Sequence, residues 1–336
     1  MKRFDIPVVL FTFKRSSTVL RILDVVREVA PSKIYLFSDG PRNEEESKLV
    51  LETRKIILAA IDWPCEVIRC FEDKNTGVFN QIGLGALQVF KKEERAIFLE
   101  DDNLPTKSFF EYARLMLERY RDDDRVLWIC GTSYFPSCDY LPADYVFTKH
   151  MLPCGWASWA NKFSKYYQTS FKLLNEKGVK KQLKKRFQCR ALYRQQLRNF
   201  KTEKYREEHG MRFASWDYHM AFSIRYFDLY GIAPKYNQIT NIGVDDFSTH
   251  GGTNWNHPNT DKFCGVSSIE FTFPLHDAAN AELDDRFEKD TAKKILVPLK
   301  IRIMFPFITL FKKVLGIYPN GSLSQVFRKK KAGVKK

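Results

Sequence analysis

The chain of 336 residues is 44% hydrophobic and 15% aromatic, enough to bury a large core, which excludes a disordered polypeptide. Its formal charge of +15 is uneven: residues 161–208 carry a local +11 and residues 293–336 a local +12, which leaves the remainder acidic at −8. An acidic body repels polyphosphates, so nucleic acid is not the expected partner, and the basic charge belongs to two patches. In chain order, residues 6–13 read as a strand, 16–29 as an amphipathic helix capped by Ser16 or Ser17, and 33–40 as a second strand. Residues 44–61 read as a helix with acids in its first turn, 65–71 as a strand, 78–92 as a helix and 96–102 as a fourth strand. This alternation predicts an α/β fold, Rossmann-like, with a mostly parallel central sheet, flanking helices and right-handed crossovers. Further on, 107–124 reads as a helix and 125–131 as a strand. Residues 171–208 have helical periodicity, and 215–252 read as a helix, a short strand and a loop with acids, a His and paired glycines.

Sheets of this kind bind ligands at the carboxyl ends of their strands. Lys14 and Arg15 follow the first strand, Asp39 and Gly40 the second, Asp73, Lys74, Asn75 and Gly77 the third, and Glu100, Asp101 and Asp102 the fourth. Each taken singly is an ordinary loop residue or helix cap; their common edge points to one crevice. Three adjacent carboxylates repel one another unless something positive sits among them, most simply a metal ion. Neither G-x-G-x-x-G nor G-x-x-x-x-G-K-[ST] follows the first strand, which argues against a dinucleotide dehydrogenase or a P-loop NTPase. A diphosphate would then need a cation held by Asp102 or Asp101, together with Arg15 or a Lys. Asp217 suits a general base that takes a proton from an attacking hydroxyl, and equally an ordinary acid at a helix start.

The series "VVLFTFKRS", "LFSDG", "NTGVFNQIGLGALQVF", "IFLEDDNLPTKSFFEYA", "LPCGWASWANKF", "WDYHM" and "THGG" resembles the GT-A fold glycosyltransferases, over roughly residues 5–255. The likeness is to the N-acetylglucosaminyltransferase I type and its bacterial relatives in surface-polysaccharide and lipopolysaccharide synthesis. It implies a metal-dependent, inverting hexosyltransferase that moves a sugar from a nucleotide sugar, UDP-linked, to a hydroxyl of a glycan or lipid-linked acceptor. It assigns manganese or magnesium to Asp102, with Glu100 and Asp101 near the donor's sugar and ribose. It also assigns the donor phosphates to Arg15, the nucleobase to Asp39, and the role of base to Asp217. Thr249 and His250 match a loop that closes over the diphosphate, with His250 otherwise an ordinary surface residue. Where the family has a His near the base, this chain has Asn80 or Gln81. Trp156 and Trp159 line the acceptor sugar in this likeness and are aromatic core otherwise; His219 reads as core. The alternatives are a metal-dependent nucleotidyltransferase or phosphotransferase on the same acids, and a nucleic-acid-binding protein using the basic segments.

These readings divide the chain into a catalytic domain, 1–290, and a basic amphipathic tail, 291–336. The domain has a nucleotide-sugar half, 1–103, and an acceptor half, 104–290, with a basic helical insertion at 161–208. Residues 293–318 mix aliphatic and aromatic residues with Lys and Arg. That pattern suits a segment lying on an anionic membrane surface, or a helix packed on the domain with a basic end. The first apolar stretch, broken by Pro7, is shorter than a signal core, and the seven cysteines form no C-x-x-C pair. The expectation is a cytoplasmic enzyme, peripheral on the inner face of the cell membrane.

Overall fold

The computed structural model describes residues 4–244 and 258–314. The first apolar runs form β1 (Val8–Thr12), β2 (Lys33–Ser38) and β3 (Glu66–Phe71), separated by α1 (Ser16–Val29) and α2 (Glu44–Ala60). Asn43 caps α2, its side chain accepting from Glu46 N at 2.9 Å. Neither expected serine caps α1: Arg15 holds the cap position, and the Thr18 hydroxyl donates to its carbonyl at 3.2 Å.

The expected helix over 78–92 differs most from expectation. A π-helical turn, Phe79–Leu84, runs into a short α3 (Gly85–Val89). Gly85 lets this segment press on the sheet, since a Cβ there would meet the Phe37 and Phe11 rings at 3.1 and 3.2 Å. After β4 (Arg95–Glu100) come β5 (Asn103–Pro105), α4 (Ser108–Arg119), β6 (Val126–Cys130), β7 (Tyr145–Thr148) and β8 (Trp156–Trp159). The second half continues with α5 (Ala160–Tyr166), α6 (Val179–Lys185), α7 (Arg190–Glu208), α8 (Asp217–Phe227), β9 (Tyr230–Pro234) and β10 (Ile239–Asn241). It closes with α9 (Pro258–Phe263), α10 (Asp285–Ile295) and α11 (Leu299–Val314).

Eight strands make one sheet in the order β3-β2-β1-β4-β8-β6-β9-β7. Strands β1 to β4 are mutually parallel, β6 is parallel to β9, and only β8 and β7 run against their neighbours. A parallel strand buried on both faces needs an unbroken apolar run, and β1 and β4 have one. Val9, Phe11 and Phe98 pack on one face; Val8, Leu10, Ile97 and Leu99 pack on the other.

The segment Trp156–Trp159 is the strand that joins the two halves of the sheet, pairing with both β4 and β6. Trp156 stacks on Phe98 at 3.8 Å and on Trp128 at 4.4 Å. Trp159 donates Nε1 to Leu117 O at 2.9 Å. Both are 1% exposed, so the acceptor-sugar role expected for Trp156 and Trp159 is corrected: burial in the sheet leaves no ring face for a sugar. The basic insertion 161–208 is helical, as its periodicity predicts, and packs on α8 through Phe171, Leu183, Phe200 and Phe222. One of its lysines is internal. Lys162 donates Nζ to three carbonyls, of Tyr120, Asp123 and Val126, and burial pulls its pKa down to about 8.

Candidate active site

The β1–α1 connection is only Phe13, Lys14 and Arg15, so the guanidinium at the start of α1 lies beside the end of β4, the strand paired with β1. Arg15, 8% exposed, places Nη1 3.2 Å from Asp102 Oδ2 and 3.6 Å from Asp101 Oδ1. Asp101 Oδ2 also accepts Phe13 N at 3.2 Å. The sequence's question about three adjacent carboxylates thus has a partial answer: one arginine stands among them. It does not balance them. Burial first, then the charges of Asp102, Asp101 and Asp217, push the Glu100 pKa well up against the opposing pull of Arg15. Burial also raises Asp102, opposed by Arg15 and by hydrogen bonds from Asn241 and Asn103.

Asn103 locks this turn. Its Nδ2 donates to Asp102 Oδ1 at 2.7 Å, and its Oδ1 accepts Gly155 N at 2.8 Å. Above the acids runs the strand end after β10: Ile242 N donates to the Asp102 carbonyl at 2.8 Å. A Cβ on Gly243 would fall 2.4 Å from Asp102 Oδ2 and 2.9 Å from Arg15 Nη1, so only glycine fits that approach. Sequence reasoning missed Asn103 and Gly243. The first directly follows the triad and was within reach, whereas the second is joined to it only by the fold. Thr249 and His250 lie outside the described residues.

Asp217 opens α8, near enough to Glu100 for its charge to raise that carboxyl's pKa. Its position is set from behind. Trp216, 2% exposed, stacks against Trp156 at 5.5 Å, and its carbonyl accepts the Tyr167 hydroxyl at 3.2 Å. On the α7 side, Glu203 accepts Ala214 N at 2.7 Å. His219 belongs to the core: it is fully buried among Phe79, Phe171 and Phe213, and its Nδ1 bonds the Gln168 carbonyl at 2.8 Å. Tyr134, buried and packed on the Phe263 ring at 4.9 Å, holds a left-handed φ of 62°, a costly conformation for a bulky residue and one that gathers at functional sites.

Asp39 forms a separate cluster at the end of β2. One of its oxygens accepts Gly40 N, Thr76 N, the Thr76 hydroxyl and, at 3.4 Å, Gln81 Nε2; the other accepts Asn75 Nδ2 and Gly77 N. Where the expectation was a contact with a nucleobase, the Asp39 carboxylate accepts six hydrogen bonds from Gly40, Asn75, Thr76, Gly77 and Gln81 and so folds its own loop. Gln81 is buried, donating to the Thr76 hydroxyl at 2.8 Å, and Asn80 is exposed, donating to the Thr76 carbonyl at 3.0 Å. Both brace this loop from the π-helical turn.

Among the described residues the acid turn offers oxygen donors only, with three carboxylates against one guanidinium, and such a set fits a hard divalent ion. Among the described residues no group of three His, Cys, Asp or Glu side chains is arranged as a metal cage. An ion at Asp102 and Asp101 would therefore fill its shell with phosphate oxygens and water, as magnesium-like ions do.

No family model matches the sequence, and no curated protein matches it. Among solved structures the chain is similar to a UDP-glucose pyrophosphorylase in complex with UDP-glucose: 10% identity, 70% of this chain and 93% of that one, TM-score 0.37. The apo form of a UDP-glucose pyrophosphorylase aligns at 9% identity over 70% and 93%, with a TM-score of 0.36. A 4-diphosphocytidyl-2C-methyl-D-erythritol synthase of Anaerococcus prevotii aligns at 9% over 70% and 91%, with a TM-score of 0.34. Likeness this slight carries no argument about the chemistry of this chain.

Proposed function

We propose that the chain is a metal-dependent transferase acting on a nucleotide sugar, and that it transfers the sugar, with inversion, to a hydroxyl of a glycan or lipid-linked acceptor. What carries this reading is the Arg15 pairing with Asp101 and Asp102 at the end of β4, with Asp217 near enough for its charge to raise the Glu100 pKa. A manganese or magnesium ion at Asp102 and Asp101 would supply Lewis-acid neutralisation of the departing diphosphate. Arg15, held by the acids and by the start of α1, orients phosphate oxygens at the same edge. Asp217 takes the proton of the attacking hydroxyl as the new glycosidic bond forms. Glu100, on the same turn, would sit near the donor's sugar.

The second reading is nucleotidyl transfer on the same acids. Product analysis on the full chain with manganese and a panel of nucleotide sugars, with and without added pyrophosphate, separates the two: sugar transfer frees a nucleoside diphosphate, whereas nucleotidyl transfer to pyrophosphate turns the nucleotide sugar into a nucleoside triphosphate and a sugar 1-phosphate. Asp217→Asn should retain the donor-induced thermal shift and lose about 100-fold or more in transfer. Asp102→Ala should lose the metal-dependent part of that shift. A nucleoside triphosphate and sugar 1-phosphate formed only when pyrophosphate is added, or full transfer by Asp217→Asn, would overturn the proposal.

A further inference from the structure

The basic C-terminal segment has no part in that chemistry, and its described portion, α11, exposes an unusual surface. Leu299, Ile303, Phe307, Leu310 and Val314 recur every three or four residues and form one stripe, with Phe311 beside it. All are exposed, Phe307 at 70% and Val314 at 76%, where a folded domain would ordinarily cover side chains of this size. The opposite side of the helix meets the body. The Arg198 guanidinium lies 3.3 Å from the centroid of the Phe305 ring, and the chain just before α11 is fixed to α7 by Gln195, which bonds Ile295 O at 3.1 Å and Val297 N at 3.0 Å. The stripe therefore points outward from an anchored helix.

The surroundings are positive. No acid occurs from residue 293 onward, and Lys300 is exposed within the apolar arc itself. Helix α6, joined to α7 by the Tyr193 hydroxyl bonding Lys180 O at 2.9 Å, exposes Lys180, Lys181, Lys184 and Lys185. A second copy docking here would set these lysines against their equals, at an electrostatic cost. No helix among the described residues is long and apolar enough to cross a membrane.

We infer that α11 lies in the headgroup–acyl boundary of an anionic bilayer, with the Leu299–Val314 stripe inserted and the lysines of α6 on the headgroups. Apolar insertion and basic attraction are the two signals that together hold a peripheral protein on lipid. This inference does not rest on the transfer chemistry, and its test needs no donor. The full chain is sedimented with phosphatidylcholine vesicles, with and without phosphatidylglycerol. Wild type should partition to the anionic vesicles about tenfold or more over the neutral ones and lose binding as salt rises. Phe307→Ser/Phe311→Ser should lose about tenfold or more with its melting temperature unchanged. Lys181→Glu/Lys185→Glu, which leaves α11 intact, should lower the anionic preference. Equal partition of the wild type and both variants would overturn the inference. So would light scattering that finds a dimer which Phe307→Ser/Phe311→Ser dissociates, since that assigns the stripe to a second copy.

Discussion

Glu203 and His219 flank the segment that delivers Asp217, and burial moves their pKa values in opposite directions. Glu203 is lifted by burial to about 7, and His219 is lowered by burial to about 4. Between about pH 4.5 and 7 the folded chain keeps a proton on Glu203 that the unfolded chain has lost, so this contribution to stability falls as pH rises. For His219 the unfolded chain holds the extra proton between about pH 4 and 6.5, so its contribution rises with pH. Each amounts to something on the order of 3 kcal/mol, and in the wild type they offset each other over most of the same window. Urea unfolding across this range should therefore separate them. Relative to wild type, Glu203→Gln should gain stability as pH increases from 4.5 to 7, and His219→Gln should lose it from 4 to 6.5. Difference curves that stay flat for both variants would show that neither group titrates as its surroundings dictate.

At the level of elements, the π-helical turn, α5 and α8 meet at one point that bears on the site. A Cβ on Gly83 would lie 2.4 Å from the Tyr167 hydroxyl and 3.2 Å from Cζ. Tyr167 cannot swing aside freely, being 4% exposed and stacked on Phe163 at 4.7 Å, while its hydroxyl holds the Trp216 carbonyl next to Asp217. Gly83→Ala should cost about 1–3 kcal/mol by overpacking and should reduce transfer more than donor binding. Tyr167→Phe removes the clashing atom, so Gly83→Ala/Tyr167→Phe should be less destabilised than the sum of the two singles, in chemical denaturation. A strictly additive result would place the strain elsewhere. This contact was not legible in the sequence, because a π turn inserts one residue into a pattern whose apolar period still reads as helix. The strand Trp156–Trp159 was equally hidden: four residues with a serine inside carry too little alternation to distinguish strand from pocket wall. By contrast β1, β2 and β4 announced themselves through unbroken apolar runs, and the acids and Arg15 through their place at the ends of those strands. Asp39 was found as a residue of that edge. Its hydrogen bonds from Thr76 and Gly77 were not legible, since they depend on how the next loop folds.

On the scale of the whole molecule, a buried carboxylate ties α10 to the edge of the sheet, beside the core packing of Phe287. Glu288 of α10, 3% exposed, accepts the Thr148 hydroxyl at 2.5 Å and Lys149 N at 3.0 Å, both at the end of β7. Its backbone carbonyl accepts His150 Nε2 at 3.0 Å, and Arg225 of α8 stands 4.0 Å from the carboxylate. Arg225 is itself buried, over the Phe187 ring at 4.1 Å, and burial lowers its pKa to about 10. The pair thus joins the edge strand, the helix that begins at Asp217, and the element that carries α11. Removing one partner of such a pair leaves the other buried without its counter-charge, a cost of about 3–5 kcal/mol. Glu288→Ala should accordingly lose stability of that order in urea. It should also raise amide exchange through 285–314 well before the exchange of β1 and β4, because α10 and α11 lose their anchor while the parallel core does not. Glu288→Gln, which can still accept from Thr148 and Lys149, should lose less. If exchange rose uniformly across the chain in Glu288→Ala, the C-terminal helices would share one cooperative unit with the sheet, and the anchor would be a core contact rather than a tether.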